Sequence, residues 1–338
     1  VEEPAWPVGE SIDLRHETGV RGYVHTWDGR GCIVLSFHHA TCDGIGCFRF
    51  IGDLLAAYGR RTADAGDLPK LLPLDPASLR VRGQFDLRFP SPISTWVALK
   101  GTIVETWKVL SRRPQVLKNI ARPELKKHRN PVMAVESLSA EQYEDYADRA
   151  AELNVTVNDL LMRDMFLTIQ RWNDQRSSGN CRGWIRITMP TSLRGKRDTR
   201  MPATNTLGYA FVTHHTSECE DPQQLLTAIA ADTAAIRTWH LGAMFVDMLR
   251  RASCFPGLLW LGSRLGRRFS TIVLSNLGDP ARRFRARLPH IDGELVAGNL
   301  RVKSMFGAPP IRPGTRAAVA LFHYPRQLVL AMNCDSRW

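Results

Sequence analysis

The stretch Phe37-His38-His39-Ala40-Thr41-Cys42-Asp43-Gly44 places two imidazoles, a thiol and a carboxylate within eight residues. A neutral imidazole takes a proton from a hydroxyl, thiol or amine near neutral pH, so general-base chemistry suits these residue types. The preceding run, Cys32-Ile33-Val34-Leu35, reads as a buried strand. Ile45, Phe48, Ile51, Leu55 and Tyr58 then recur at helical spacing. The stretch is therefore a turn between strand and helix, at a strand end where open sheets place their chemistry. If the strand runs through the motif, alternation puts His39 on the face of Ile33, Leu35 and Phe37 and turns His38 away. Plainer roles remain open beside these: a hydrogen-bonded core histidine, Asp43 as a helix N-cap, and Gly44 as a turn residue. No metal is expected, because adjacent histidines on a strand diverge and no second ligand pair follows at helical spacing.

The order His-His-x-x-x-Asp-Gly resembles the signature of one acyltransferase superfamily. Its members include chloramphenicol acetyltransferase, the condensation domains of nonribosomal peptide synthetases and the wax ester synthases. The resemblance implies that His39 is the general base and that Asp43 organises the site through an ion pair with an arginine. His38 and Gly44 would then be supporting residues.

Later stretches resemble the same superfamily in the same order. Leu138-Ser139-Ala140-Glu141 followed by Val155-Thr156-Val157-Asn158-Asp159-Leu160-Leu161 is similar to its C-terminal lobe. Within it, Ser139 with Gln142 forms a capping-box pattern that starts a helix through about Leu153. A strand from Ile185 that ends in Pro190 leads to Arg194, the candidate partner of Asp43. Asn205 and Gly208 resemble the Asn-x-x-Gly that opens the next strand. Thr271 to Gly278 resembles a tunnel-lining strand ending in Ser-Asn. Its Ser275 and Asn276 are candidates to hydrogen-bond a developing oxyanion. A final hairpin, Ala317 to Tyr324 with Leu328 to Asn333, closes the resemblance, which covers roughly residues 20 to 60 and 135 to 335.

The fold implied is α/β (α+β), with two chloramphenicol-acetyltransferase-like lobes, each a mixed sheet with flanking helices. Residues 1–75 would be the remainder of an N-terminal lobe, 76–133 a linker with a basic helical segment, and 134–338 the C-terminal lobe. Tyr23 to Trp27 and the strand after Asp28-Gly29-Arg30-Gly31 suit a hairpin. Two strands and one helix cannot cover that apolar run on both faces, so the first lobe is expected to be incomplete and chain to be missing before Val1. Pro222 to Trp239 reads as a structural helix.

The activity implied is acyl transfer from a thioester donor, acyl-CoA or a phosphopantetheinyl carrier, to a hydroxyl or amine of a small-molecule or lipid acceptor. No tightly bound cofactor is expected. The alternatives are a non-catalytic condensation-like binding protein and an amide-forming condensation domain of a peptide synthetase. Nothing resembles a Gly-x-Ser-x-Gly nucleophile elbow.

Composition bounds these readings. The 338 residues are 44% apolar and 23% charged, as in globular proteins. Seven scattered cysteines without a Cys-x-x-Cys pair suit free thiols in a reducing, cytoplasmic setting. No run reaches the roughly 18 apolar residues of a membrane span. The net charge of +12 favours an anionic partner: a phosphorylated cosubstrate, an acidic acyl carrier protein or an anionic membrane surface. Nucleic acid is not expected, since the basic residues form no aromatic-interleaved stripe. The basic helical segment from Ile93 to Ile120 suits a core helix with a solvated face, or a membrane-surface or acyl-chain role. Leu258-Leu259-Trp260-Leu261-Gly262, flanked by Arg264, Arg267 and Arg268, reads as a buried helix or as a contact with lipid.

Overall fold

The computed structural model describes residues 11–62, 68–84, 107–108, 111–118, 131–177, 181–258, 260, 269–282, 284–312 and 314–335. Most of the basic segment 93–120, and all of 121–130, lie outside the described residues.

Strands β1 (Val20–Trp27) and β2 (Arg30–Phe37) pair antiparallel with Trp27 opposite Arg30. Asp28 and Gly29 between them both take positive φ, 42° and 69°, the combination that a two-residue hairpin turn requires. Helix α1 (Gly44–Thr62) follows the motif. The strands β3 (Pro131–Leu138), β4 (Trp184–Ser192), β5 (Leu207–His215), β6 (Ile272–Asn276), β10 (Ala317–His323) and β11 (Leu328–Asp335) form a six-stranded sheet. Its order is β3-β11-β10-β6-β4-β5, with β6 parallel to β10 and β4 and the other pairs antiparallel. A small antiparallel sheet comprises β7 (His290–Ile291), β8 (Glu294–Ala297) and β9 (Leu300–Arg301).

The capping box expected at Ser139 and Gln142 starts helix α2 (Ala140–Glu152), and Asn154 at φ 55° ends that turn of chain. A second capping box, Thr156 with Asp159, starts helix α3 (Val157–Gln175). Helix α4 (Pro222–Thr238) is capped by Asp221, with Pro222 in its first turn. Helix α5 (Leu241–Ser253) follows at once and has no counterpart in the sequence reading.

Alternation along the central strands divides the core into two layers. Ile185, Ile187, Val212, Leu274 and Leu321 pack on Met162, Phe166 and Ile169 of α3 and on Leu225 and Ile229 of α4. On the opposite face, Ala320, Phe322, Val329 and Ala331 pack with Phe48, Leu55 and Ala56 of α1 and with Phe284 and Leu295. Helix α1 thus shares its core with residues 281–331, across the segment 76–133. Fully burying side chains such as Phe48 and Leu55 stabilises by roughly 1.5–3 kcal/mol each, which fixes where the helix start must lie.

The described part of the first lobe is the expected hairpin, a two-stranded antiparallel sheet that leaves Val24 71% and Ile33 48% exposed. One expectation changes: strand β4 continues past Pro190 to Ser192. Its pairing with β6 involves only Ile187 and Thr188, so the missing proline N–H interrupts no ladder on that side.

Candidate functional site

The motif lies in a turn, because β2 stops at Phe37. The His38 N–H still bonds Gly19 O at 2.9 Å, while the His38 carbonyl accepts from Thr41 N at 2.9 Å and from Thr41 Oγ1 at 2.7 Å. Strand alternation therefore does not reach the two histidines, and their difference has another cause. His39 Nδ1 stands 3.1 Å from the Cys42 carbonyl oxygen. A carbonyl only accepts, so Nδ1 carries the proton in the neutral ring and the lone pair is on Nε2. His38 Nδ1 instead accepts from Ala40 N at 3.2 Å, which places its proton on Nε2. Of the two, His39 is the one whose outer nitrogen can receive a proton.

Asp43 is fully buried and accepts three hydrogen bonds, with Arg194 Nη1 adding an ion-pair contact. Its Oδ1 accepts from Arg194 Nη2 at 2.9 Å and from Gly46 N at 2.8 Å. Its Oδ2 accepts from Thr206 N at 2.7 Å and lies 2.9 Å from Arg194 Nη1. The Arg194 side chain is only 7% exposed, and its Nη2 also donates to Thr204 O at 2.6 Å. Both sequence readings of Asp43 hold together: it caps α1 through Gly46 and pairs with Arg194. Nothing connects its carboxylate to either imidazole; it holds the backbone of the turn.

The remaining candidates separate. Ser275 pairs with Ala320 and so lies on the sheet face that carries α1. Asn276 falls on the opposite face, where its amide donates to Asn158 Oδ1 at 3.3 Å at the start of α3. The two side chains thus do not address one oxyanion from a common face. The residue after them, Leu277, touches the motif: a Cβ added to Gly44 would come within 2.9 Å of its Cδ2.

Sequence reasoning missed part of the support. Asn205 Nδ2 donates to the His39 carbonyl at 2.7 Å, and its Oδ1 accepts from Leu207 N at 3.2 Å. The Asn-x-x-Gly pattern marked the residue but not this contact. Gly46 lies so close to the loop that an added Cβ would meet Thr204 O at 2.7 Å. Cys42 is 4% exposed, and its hydrogen bond to Cys47, followed by burial, pushes the Cys47 thiol far up. Cys47 is therefore a protonated thiol at neutral pH, unsuited to nucleophilic attack.

No family model matches the chain. Two uncharacterised Mycobacterium tuberculosis proteins, from strains CDC 1551 / Oshkosh and ATCC 25618 / H37Rv, are each 25% identical to it over 270 residues. The match covers 78% of this chain and 58% of theirs, so the chain spans about three fifths of these curated relatives. Among solved structures, the trichothecene 15-O-acetyltransferase of Fusarium sporotrichioides matches with a TM-score of 0.62 at 14% identity, over 95% of this chain and 66% of that one. The first condensation domain of the CDA synthetase matches with a TM-score of 0.58 at 13% identity, over 93% and 62%. The X-domain from teicoplanin biosynthesis gives 0.58 at 14% identity, over 97% and 69%. The large mixed sheet, its flanking helices and the motif-bearing helix packed on it have the fold of condensation domains and chloramphenicol-acetyltransferase-like acyltransferases.

Proposed function

We propose that the chain transfers an acyl group from a thioester donor to a hydroxyl or amine of a small-molecule or lipid acceptor, with His39 as general base. The observation that carries this reading is the His39 Nδ1 contact with the Cys42 carbonyl, which reserves the Nε2 lone pair for a substrate proton. As the acceptor oxygen or nitrogen attacks the thioester carbonyl carbon, Nε2 takes its proton and the carbonyl electrons move onto oxygen. The tetrahedral intermediate then collapses, the C–S bond breaks, and the leaving sulfur recovers the proton from Nε2. No acyl-enzyme is needed, since both substrates meet at one base.

Asp43, Arg194 and Asn205 keep the turn in place and do not touch the reacting atoms. Ser275, on the face of α1, is the candidate side chain for the oxyanion. The net charge of +12 supports an anionic donor, an acyl-CoA or a phosphopantetheinyl thioester on an acidic carrier protein.

The test is thiol release from acyl-CoA donors of graded chain length in the presence of simple alcohols and amines. His39→Ala should lower the acceptor-dependent rate by about 10²- to 10⁴-fold. His38→Ala should retain most of it. The reverse pattern would overturn the assignment. Wild-type protein that binds donor but releases no thiol with any acceptor would favour a non-catalytic binding role.

A further inference from the structure

Far along the chain from the motif, the end of α5 and the turns beyond it expose large apolar side chains in succession. Leu249 is 38% exposed, Phe255 65%, Leu258 46% and Trp260 58%. The chain keeps turning through them: Phe255 N bonds Ala252 O at 3.1 Å, and Leu258 N bonds Phe255 O at 3.2 Å. This is the stretch for which a buried helix was one expectation, and Leu258 and Trp260 are exposed instead. The beginning of α5 is anchored. Gly242 and Ala243 are buried, and a Cβ on Gly208 would meet the Gly242 carbonyl at 2.2 Å. The helix is thus fixed at one end and presents apolar groups at the other.

The charge beside these groups is basic. Arg250 and Arg251 are exposed, and Asp247, at 2.8 Å from Arg251, is the acid paired there. The sequence continues with Arg264, Arg267 and Arg268. Phenylalanine and tryptophan flanked by arginine suit the boundary between lipid headgroups and acyl chains, where apolar rings and cations are satisfied together. A net charge of +12 spread over the chain is drawn more strongly to an extended anionic surface than to one small acidic ligand.

We propose that this region docks the protein on an anionic lipid surface. Phe255, Leu258 and Trp260 enter the headgroup boundary, and Arg250 and Arg251 meet lipid phosphates. The inference does not depend on the acyl-transfer reading, since none of these residues contributes to the His39 turn.

Co-sedimentation with vesicles tests it. Wild-type protein should bind phosphatidylglycerol-containing vesicles at low salt, bind pure phosphatidylcholine vesicles poorly, and be released by salt. The double variant Phe255→Ser/Trp260→Ser should lose about tenfold or more in partitioning. Arg250→Gln/Arg251→Gln should weaken binding to the anionic vesicles and flatten its salt dependence. All these side chains are exposed, so both variants should keep the wild-type thermal midpoint. Wild-type protein that ignores anionic vesicles would overturn the proposal, as would a Phe255/Trp260 variant that binds like wild type. A wild-type dimer that the same variant turns into a monomer, with no vesicle binding by either, would assign the face to a second copy of the chain instead.

Discussion

Replacing Asp43 by Asn tests the support of the site most directly, because the two roles of Asp43 predict different magnitudes. An asparagine caps a helix about as well as an aspartate, so capping alone predicts a change near zero. The structure demands more. Three donors converge on the two carboxylate oxygens, from Arg194 Nη2, Gly46 N and Thr206 N, and Arg194 Nη1 lies 2.9 Å from Oδ2. Asparagine offers one oxygen, and either orientation turns its NH₂ against one of the two backbone donors and an Arg194 nitrogen. One buried backbone N–H then loses its partner, which costs about 1–3 kcal/mol. Arg194, 7% exposed, also loses its counter-charge. Breaking a buried pair from one side costs about 3–5 kcal/mol in all, a large share of the roughly 5–15 kcal/mol that stabilises a typical domain. Urea unfolding of Asp43→Asn, Arg194→Met and the double variant measures this directly. The double should cost less than the sum of the singles, since the second change removes the charge that the first leaves stranded. A loss below about 1 kcal/mol for Asp43→Asn, or strict additivity, would refute the argument and leave capping as the whole role.

Two further outcomes follow from local geometry. Gly46→Ala should destabilise more than Gly44→Ala although Gly44 belongs to the motif. The new Cβ at 46 meets the Thr204 backbone at 2.7 Å, whereas at 44 it meets the mobile end of Leu277 at 2.9 Å; thermal unfolding should show a loss of about 1–3 kcal/mol for the first and a smaller one for the second. Stability should also fall through His214 as pH rises above the ordinary histidine value. Burial alone would lower its pKa, but Asp232 at 3.3 Å and Glu218 at 2.8 Å overcome that and raise it in the folded chain. The protonated ring therefore stabilises fully below the unfolded value of about 6.5, and this contribution is lost as pH climbs through the raised folded value. Unfolding free energies across that window should slope downward in wild type and less so in His214→Gln.

What was legible in the sequence was local. The hairpin follows from Asp28-Gly29, the start of α2 from its capping box, and the position of Arg194 from a strand leading into a turn. Alternation does not reach the two histidines, because the chain leaves the strand at Phe37, so it gives no reason to choose between them. The same alternation, applied to Ser275 and Asn276, would have shown that they face opposite sides of the sheet. Helix α5 escaped notice because it follows α4 after only two residues and has no side-chain cap at its start. The contacts of Thr204, Asn205 and Gly46 join chain segments more than 150 residues apart, and no local spacing encodes them.

That division between local and distant contacts bears on how the site works. The tautomer of His39 is set within its own turn, by a carbonyl three residues away. The position of that turn is set from far off, by Arg194, Asn205 and Thr206. The hairpin before it could not do this alone: two strands with Val24 and Ile33 exposed are marginal without further packing. Helix α1 is therefore clamped twice, along its length by the layer of Phe322 and Phe284 and at its start by the buried Asp43–Arg194 pair. A perturbation of the loop from Arg194 to Thr206 would leave the contact between His39 and Cys42 intact but shift the turn that carries it. The proposed proton chemistry lies within one turn, whereas its placement depends on the loop between β4 and β5.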